Sequence, residues 1–163
     1  MPRPRRGNPA AALIAVAPLA SRWIERLLAS HDPPLTPAQF LALRAISAEP
    51  LAAAELARRA GVSGPAVSQL VAALEGAGWV EREPEPGDRR RQTLRLTQPG
   101  SEVFSSATRL LHARIGDLLA GLPPHEADRL AHLLEQVEAA LGGSPPPRRP
   151  HPPRPPRPGP RLR

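Results

Sequence analysis

Several residue types are absent or scarce in this 163-residue chain. It contains no cysteine, which excludes disulfide scaffolds, cysteine-ligated zinc and the sensing of oxidants by thiols. Only 2% of its residues are aromatic, so a hydrophobic core must be built from Leu, Ala, Val and Ile. Long apolar runs are also missing, because Arg22, Glu25 and Arg26 interrupt the one candidate for a membrane span.

Positive charge is concentrated at the two ends of the sequence. The formal net charge is +7, and all 22 basic residues are arginine. Residues 1–9 hold three arginines and residues 144–163 hold six, both without acids, whereas the 13 arginines between them face all 15 acidic residues. The body of the chain is therefore slightly acidic, and net charge alone does not identify a nucleic-acid partner.

Residues 53–74 have the pattern of two helices joined by a tight turn. Leu56 and Ala60 give the first helix a small apolar face, and Gly61 tolerates the positive φ that such a turn requires. Ser63 is a suitable N-cap for the second helix. Four apolar residues then recur at helical spacing: Val67, Leu70, Val71 and Leu74. An ordinary helical hairpin would explain this pattern equally well.

The residues that follow favour a more specific fold. Two short strands are predicted at 79–83 and 92–97, and Leu94 and Leu96 alternate with polar residues in the second. Between them lies a turn-rich tip, residues 84–91, which ends in three arginines. A helix-turn-helix followed by such a hairpin predicts a winged helix, and hence a mainly α fold with a small β-wing.

Taken in this order, the motifs resemble the MarR family of winged helix-turn-helix transcriptional regulators. The matching stretches are 35–40 (LTPAQF), 55–57 (ELA), 61–63 (GVS), 67–71 (VSQLV), 74–80 (LEGAGWV), 88–90 (DRR) and 96–100 (LTQPG). The resemblance implies a MarR-like domain over residues 10–143, with a winged-helix lobe at about 36–100 and dimerisation helices at about 10–30 and 101–142. It also implies a homodimer that binds pseudo-palindromic operators in double-stranded DNA, usually as a repressor released by a small ligand.

The second helix of the motif is predicted to enter the major groove. Its outward residues include Pro65, Ser68 and Gln69, with Ser63 at its start. The Gln69 amide can pair bidentately with adenine, and the two serines are adaptable hydrogen-bonding groups. A solvated role for Gln69 is equally compatible with the sequence. Unlike many members of the family, this chain has no basic residue between Arg59 and Arg82.

Arginines around this helix are predicted to contact the DNA backbone. The resemblance places Arg90 in or beside the minor groove, with Asp88 orienting the arginine side chains through charge-assisted hydrogen bonds. Arg89 and Arg91 are expected at phosphates, and at least one of Arg58 and Arg59 should face the DNA backbone. Arg82 and Arg95 are weaker candidates.

The flanking segments predict helices that build the dimer. Thr36 and Gln39 form a capping box, and Thr97 can cap a long helix that runs to about Ala120. A last helix follows Pro123 and Pro124 and closes at 142–143. At the N-terminus an apolar stripe contains Pro18, which must kink the helix or mark its real start. These stripes are more apolar than a small lobe needs, which favours an intertwined dimer.

A ligand pocket is implied by the resemblance, between the dimer helices and the lobe, for an aromatic or anionic compound. Its candidate residues are Trp23, Phe40, Arg44 and His112. The alternative is an architectural or constitutive DNA-binding protein without an effector. Neither a metal nor a cofactor is predicted, because the histidines lack metal-site spacing. No enzyme is predicted either, because there is no glycine-rich phosphate loop or recognisable nucleophile.

The two ends of the chain are predicted to be disordered, residues 1–9 as a basic segment and residues 144–163 as a tail with ten prolines. The tail has three open interpretations: an inert extension, an arm that tethers the protein to DNA, or a docking peptide. The start of the chain resembles a secretory signal. However, its apolar stripe continues through Trp23 and Ile24, beyond any cleavage site. We therefore expect a bacterial cytoplasmic protein, associated with the nucleoid and not with membranes.

Overall fold

The computed structural model describes residues 8–60, 63–85 and 88–143, without the side chains of 85, 88–91 and 142–143. These ranges form six helices and a two-stranded antiparallel sheet. In chain order they are α1 (Pro9–Ala29), α2 (Pro37–Ala48), α3 (Ala53–Ala60), α4 (Gly64–Gly76), β1 (Val80–Glu85), β2 (Asp88–Leu96), α5 (Gln98–Leu119) and α6 (Pro124–Gly143). The predicted fold class, mainly α with a small β-wing, is confirmed.

Side-chain caps fix where the helices begin. The capping box of α2 is present, with Gln39 N donating to Thr36 Oγ1 and Thr36 N donating to Gln39 Oε1. Thr97 caps α5 by accepting from Gly100 N at 3.1 Å. Asn8 caps α1, so that helix begins at Pro9 and contains Pro18 in its interior. The alternative that Pro18 marks the real start of the helix is therefore wrong.

The hydrophobic core lies in the lobe formed by α2, α3, α4 and the hairpin, and α1 and α5 extend it. Leu43, Leu56 and Leu74 are fully buried and come from the three helices of the lobe. An isolated bridge between Leu51 and Leu94 joins the entry of α3 to β2, with Leu94 N donating to Leu51 O at 2.9 Å. The motif helices are thereby held against the hairpin by both backbone hydrogen bonds and apolar contact.

The hairpin is longer than predicted. Backbone pairing runs from Val80 opposite Leu96 to Glu85 opposite Asp88, with an irregularity between Pro84 and Glu85. The stretch 88–91, predicted as part of a turn-rich tip, therefore belongs to β2, and this prediction is corrected. Pro84 is compatible with the strand because a two-stranded sheet has free edges, where a missing N–H costs no ladder bond.

A close approach at the base of the hairpin requires glycine at position 100. Thr97 N donates to Trp79 O at 3.0 Å, and the Thr97 hydroxyl donates to Gly78 O at 2.6 Å. These bonds press the Trp79 carbonyl onto the first turn of α5. A Cβ built on Gly100 would overlap the carbonyl oxygen of Trp79, so any larger residue must displace backbone.

The helices at the two ends keep much of their apolar surface exposed. In α1, Leu28 is buried, whereas Ile14 remains 75% exposed. In α5, Leu111 is buried, but Leu118 remains 66% exposed. Over its described side chains, α6 has no buried residue. The predicted apolar stripes are thus present on helices, but this single chain does not cover them.

Candidate nucleic-acid interface

The face of α4 away from the core is polar and exposed. Val67, Val71 and Leu74 bury one side of the helix. Pro65, Ser68 and Gln69 are exposed on the other, and Ser63 accepts from Ala66 N at 3.5 Å as the predicted N-cap. The Ser68 hydroxyl donates to Gly64 O at 3.0 Å, so it presents only its lone pairs outward. Residues 61–62, where the turn was predicted, lie outside the described residues.

On α3 the two arginines bind carboxylates of the same chain. Arg58 donates to both oxygens of Glu55, from Nε at 2.8 Å and from Nη2 at 2.5 Å. Arg59 donates from Nε to Glu55 at 2.6 Å and from Nη2 to Glu49 at 2.6 Å. These hydrogen bonds, first from Arg58 and then from Arg59, lower the pKa of Glu55 to about 2. The same bonds raise the pKa of both arginines.

Two more arginines at the base of the hairpin are also paired. Arg82 donates from Nε to Glu75 at 2.7 Å, which ties β1 to the end of α4. Arg95 Nε lies 2.6 Å from Glu83 on the neighbouring strand. Both therefore stabilise the hairpin locally, and they remain the weaker candidates for DNA contact.

The wing residues Asp88, Arg89, Arg90 and Arg91 lie in β2 by their backbone. Their side chains lie outside the described residues. Because β2 continues from 88 to 96 and pairs with β1, these positions project from the lobe on the same hairpin whose base is fixed against α4.

Among the described residues, the four candidate ligand residues do not line one cavity. Trp23 lines an apolar groove of about 820 Å³ between α1 and α5. Arg44 lines a separate cavity of about 600 Å³ beside α2, α3 and α4, where Nη2 also binds Glu138 of α6 at 2.9 Å. Phe40 packs against the ring of Phe104 at 5.6 Å, and His112 is exposed.

Sequence reasoning missed the acidic side of this surface. Glu55 precedes Arg58 and Arg59 by three and four residues, a spacing that places charged groups side by side on a helix. That signal was available in the sequence. The contribution of Glu49 was not, because it lies ten residues from Arg59 and depends on how α2 and α3 pack.

Two other kinds of feature do not occur in the described part of the chain. No group of three or more histidine, aspartate or glutamate side chains is arranged to hold a metal ion there. Nor does any helix in those ranges have the length and apolarity needed to cross a membrane.

The sequence and the structure are both similar to known regulators. A model of the MarR family matches residues 34–91. An uncharacterized HTH-type transcriptional regulator from Mycobacterium bovis is 28% identical over 130 residues, 78% of this chain and 91% of that protein. The wild-type apo structure of MarR from E. coli has 26% identity and a TM-score of 0.66, covering 78% of this chain and 95% of the other.

RV1404 from Mycobacterium tuberculosis has 28% identity and a TM-score of 0.71, covering 82% of this chain and 91% of the other. The structural similarity therefore extends well beyond the lobe that the family model matches. The Mycobacterium bovis relative is named as a transcriptional regulator. The prediction that this chain is not an enzyme is confirmed by its similarity to transcriptional regulators in sequence and in fold.

Proposed function

Since this chain belongs to the MarR family of winged helix-turn-helix transcriptional regulators and binds DNA, we propose that it is a homodimeric repressor of a pseudo-palindromic operator. We further propose that a small ligand releases it. The observation that carries the proposal is the exposed polar face of α4, next to a hairpin with arginine at three consecutive positions. Such a protein would work in the cytoplasm, at the chromosome.

Sequence readout is assigned to α4 in the major groove. Gln69 would pair with adenine through its amide, while Ser63, Pro65 and Ser68 shape the contact around it. Because Pro65, Ser68 and Gln69 carry no charge, readout by this helix depends on few hydrogen bonds. The wing supplies the electrostatic part, with Arg90 at the minor groove and Arg89 and Arg91 at phosphates.

The dimer is assigned to the helices at the two ends of the chain. The groove between α1 and α5 is lined by apolar side chains such as Leu19, Ile24 and Leu118. Leu133 and Leu134 of α6 are about half exposed, at 47% and 53%. A second copy would cover these surfaces. It would also set the distance between the two α4 helices, the recognition helices, so that they reach successive major grooves.

For the effector, Arg44 is the strongest of the four candidate residues. Its cavity is lined mainly by apolar side chains of α2, α3 and α4, and its guanidinium binds Glu138 in an ion pair exposed on both sides. A ligand carboxylate could replace Glu138 at little cost, because exposed ion pairs are weak. Release then follows if the ligand favours a dimer whose recognition helices are wrongly spaced.

Selection of DNA fragments by the purified chain tests this function. The selected fragments should share an inverted repeat, and small aromatic acids should dissociate the complex. Selected fragments without an inverted repeat would contradict the dimeric operator. An inverted repeat whose complex resists every aromatic acid would favour the alternative, a constitutive or architectural DNA-binding protein without an effector.

Arg90→Ala tests the role of the wing. We expect weaker binding to every sequence, with the log–log salt slope reduced by about one unit for each lost phosphate contact. Arg114→Ala is the matched control, because Arg114 lies on α5 and its ion pair within the described ranges is a long one, 3.9 Å to Asp117. Binding by Arg90→Ala that equals wild type at all salt concentrations would remove the wing from the mechanism.

A further inference from the structure

Four charged side chains beside the recognition helix form one connected ionic network. Glu55 accepts hydrogen bonds from Arg58 and Arg59, and Glu49 accepts a further one from Arg59. With two carboxylates and two guanidinium groups, the network has no net charge. The two arginines assigned to the DNA backbone on α3 are thus neutralised in the free protein.

We propose that Glu55, assisted by Glu49, is a built-in competitor of DNA for Arg58 and Arg59, and that it holds DNA affinity below what these arginines could give. This inference rests on the proposed function, since it assumes that the two arginines contact phosphates. Glu55 would thereby limit DNA affinity, although its carboxylate makes no favourable contact with DNA.

Glu55 occupies a donor edge of Arg58 that a phosphate could otherwise use. Arg58 binds Glu55 through Nε and Nη2, and it does so bidentately to both carboxylate oxygens. A phosphate can bind bidentately through the same pair of donors. DNA can therefore engage this edge of the guanidinium only after the carboxylate has left.

A phosphate has space to replace the carboxylates at Arg58 and Arg59. The side chain of Arg58 is 73% exposed and that of Arg59 is 41% exposed. Both line a groove of about 800 Å³ between α3 and the middle of β2, where Gln92 and Thr93 form the other wall. The arginines therefore have space to turn away from Glu55.

Competition by Glu55 should persist across the neutral pH range. Hydrogen bonds from Arg58 and Arg59 lower its pKa to about 2, so the carboxylate stays ionised at any pH at which the protein would bind DNA. The network therefore sets a constant limit on affinity and does not act as a switch near neutrality. A substitution is needed to remove it.

Glu55→Gln tests the proposal, with binding measured on random-sequence DNA at several salt concentrations. We expect affinity to rise about three- to tenfold, since exposed ion pairs are individually weak. The salt slope should become steeper by about one unit for each additional phosphate that a released arginine binds. Glu102→Gln is the matched control, because it removes one negative charge whose carboxylate accepts from Gln98 and releases no arginine.

A double-mutant cycle separates competition from a general effect of charge. In an Arg58→Ala/Arg59→Ala background, Glu55→Gln should no longer raise affinity beyond the change produced by Glu102→Gln. The proposal is overturned if Glu55→Gln binds DNA as wild type does or more weakly. An equal rise in affinity in the absence of both arginines would overturn it as well.

A variant that does not fold still leaves the proposal open to refutation. If Glu55→Gln is unfolded, as judged by thermal melting, Glu49→Gln takes its place and should raise affinity less, because it frees only one donor of Arg59. An unchanged affinity for Glu49→Gln would then overturn the proposal. If the wild-type chain binds no DNA at all, the proposed function fails instead, so the two failures are distinguishable.

Discussion

Gly100 is the residue whose identity the fold constrains most clearly. It sits in the first turn of α5, directly under the carbonyl of Trp79, where a side chain has no space. Gly100→Ala should therefore lower the free energy of unfolding by about 1–3 kcal/mol, the usual cost of overpacking. Chemical denaturation followed by circular dichroism measures this value.

Gly116 provides the matched control for that substitution, because it lies on the same helix and a Cβ there would meet nothing within 4 Å. Gly116→Ala should leave stability unchanged or raise it by up to about 1 kcal/mol, since alanine is the better helix former. Equal stability changes at the two glycines would contradict the close approach at Trp79.

Residues whose role is local could be predicted from the sequence. Thr36, Ser63 and Thr97 cap helices by bonds to residues three positions along the chain, and all three caps are present. Gly100 could not be predicted in this way, because its constraint comes from Trp79 through the packing of the hairpin base. Local chemistry is visible in a sequence, whereas a contact between elements needs the fold.

At the scale of elements, the sequence predicted the boundaries of the helices more accurately than those of the strands. The stretch 84–87 (PEPG) favours a turn, yet β1 continues to Glu85 because hairpin pairing outweighs the local preference. Pro18 is a similar case in a helix. Proline disfavours a helix interior, yet α1 continues through Pro18. The candidate ligand residues do not share one cavity, since among the described residues Trp23 and Arg44 line separate ones. Their grouping depends on how the helices pack, which the sequence alone does not give.

The exposed apolar faces of α1 and α5 predict the effect of one charged substitution. Leu118→Glu should weaken the dimer by at least about tenfold, because an unpaired carboxylate would be buried between subunits. Sedimentation velocity over a concentration series measures this. Leu41→Glu is the control, since Leu41 is 56% exposed on α2 and lies outside the assigned interface. A fully dimeric Leu118→Glu would exclude this face from the interface.

At the scale of the whole molecule, the arginines of the lobe and those of the chain ends differ in their acidic surroundings. In the lobe, Arg58, Arg59, Arg82 and Arg95 all bind carboxylates of the chain. Nine further arginines lie in the two acid-free ends, residues 1–9 and 144–163, and three lie at 89–91. The predicted disordered ends lie outside the described residues, and the three interpretations of the tail at 144–163 stand.

Hydroxyl-radical footprinting of a fragment selected by the full chain shows whether the protein reads DNA as a symmetric dimer. A dimer that reads DNA with α4 and the wing should protect two half-sites related by two-fold symmetry. Their centres should lie one helical turn, about 10 base pairs, or a multiple of it apart. A single protected segment without symmetry, or protection no stronger than on random DNA, would contradict this mode of binding.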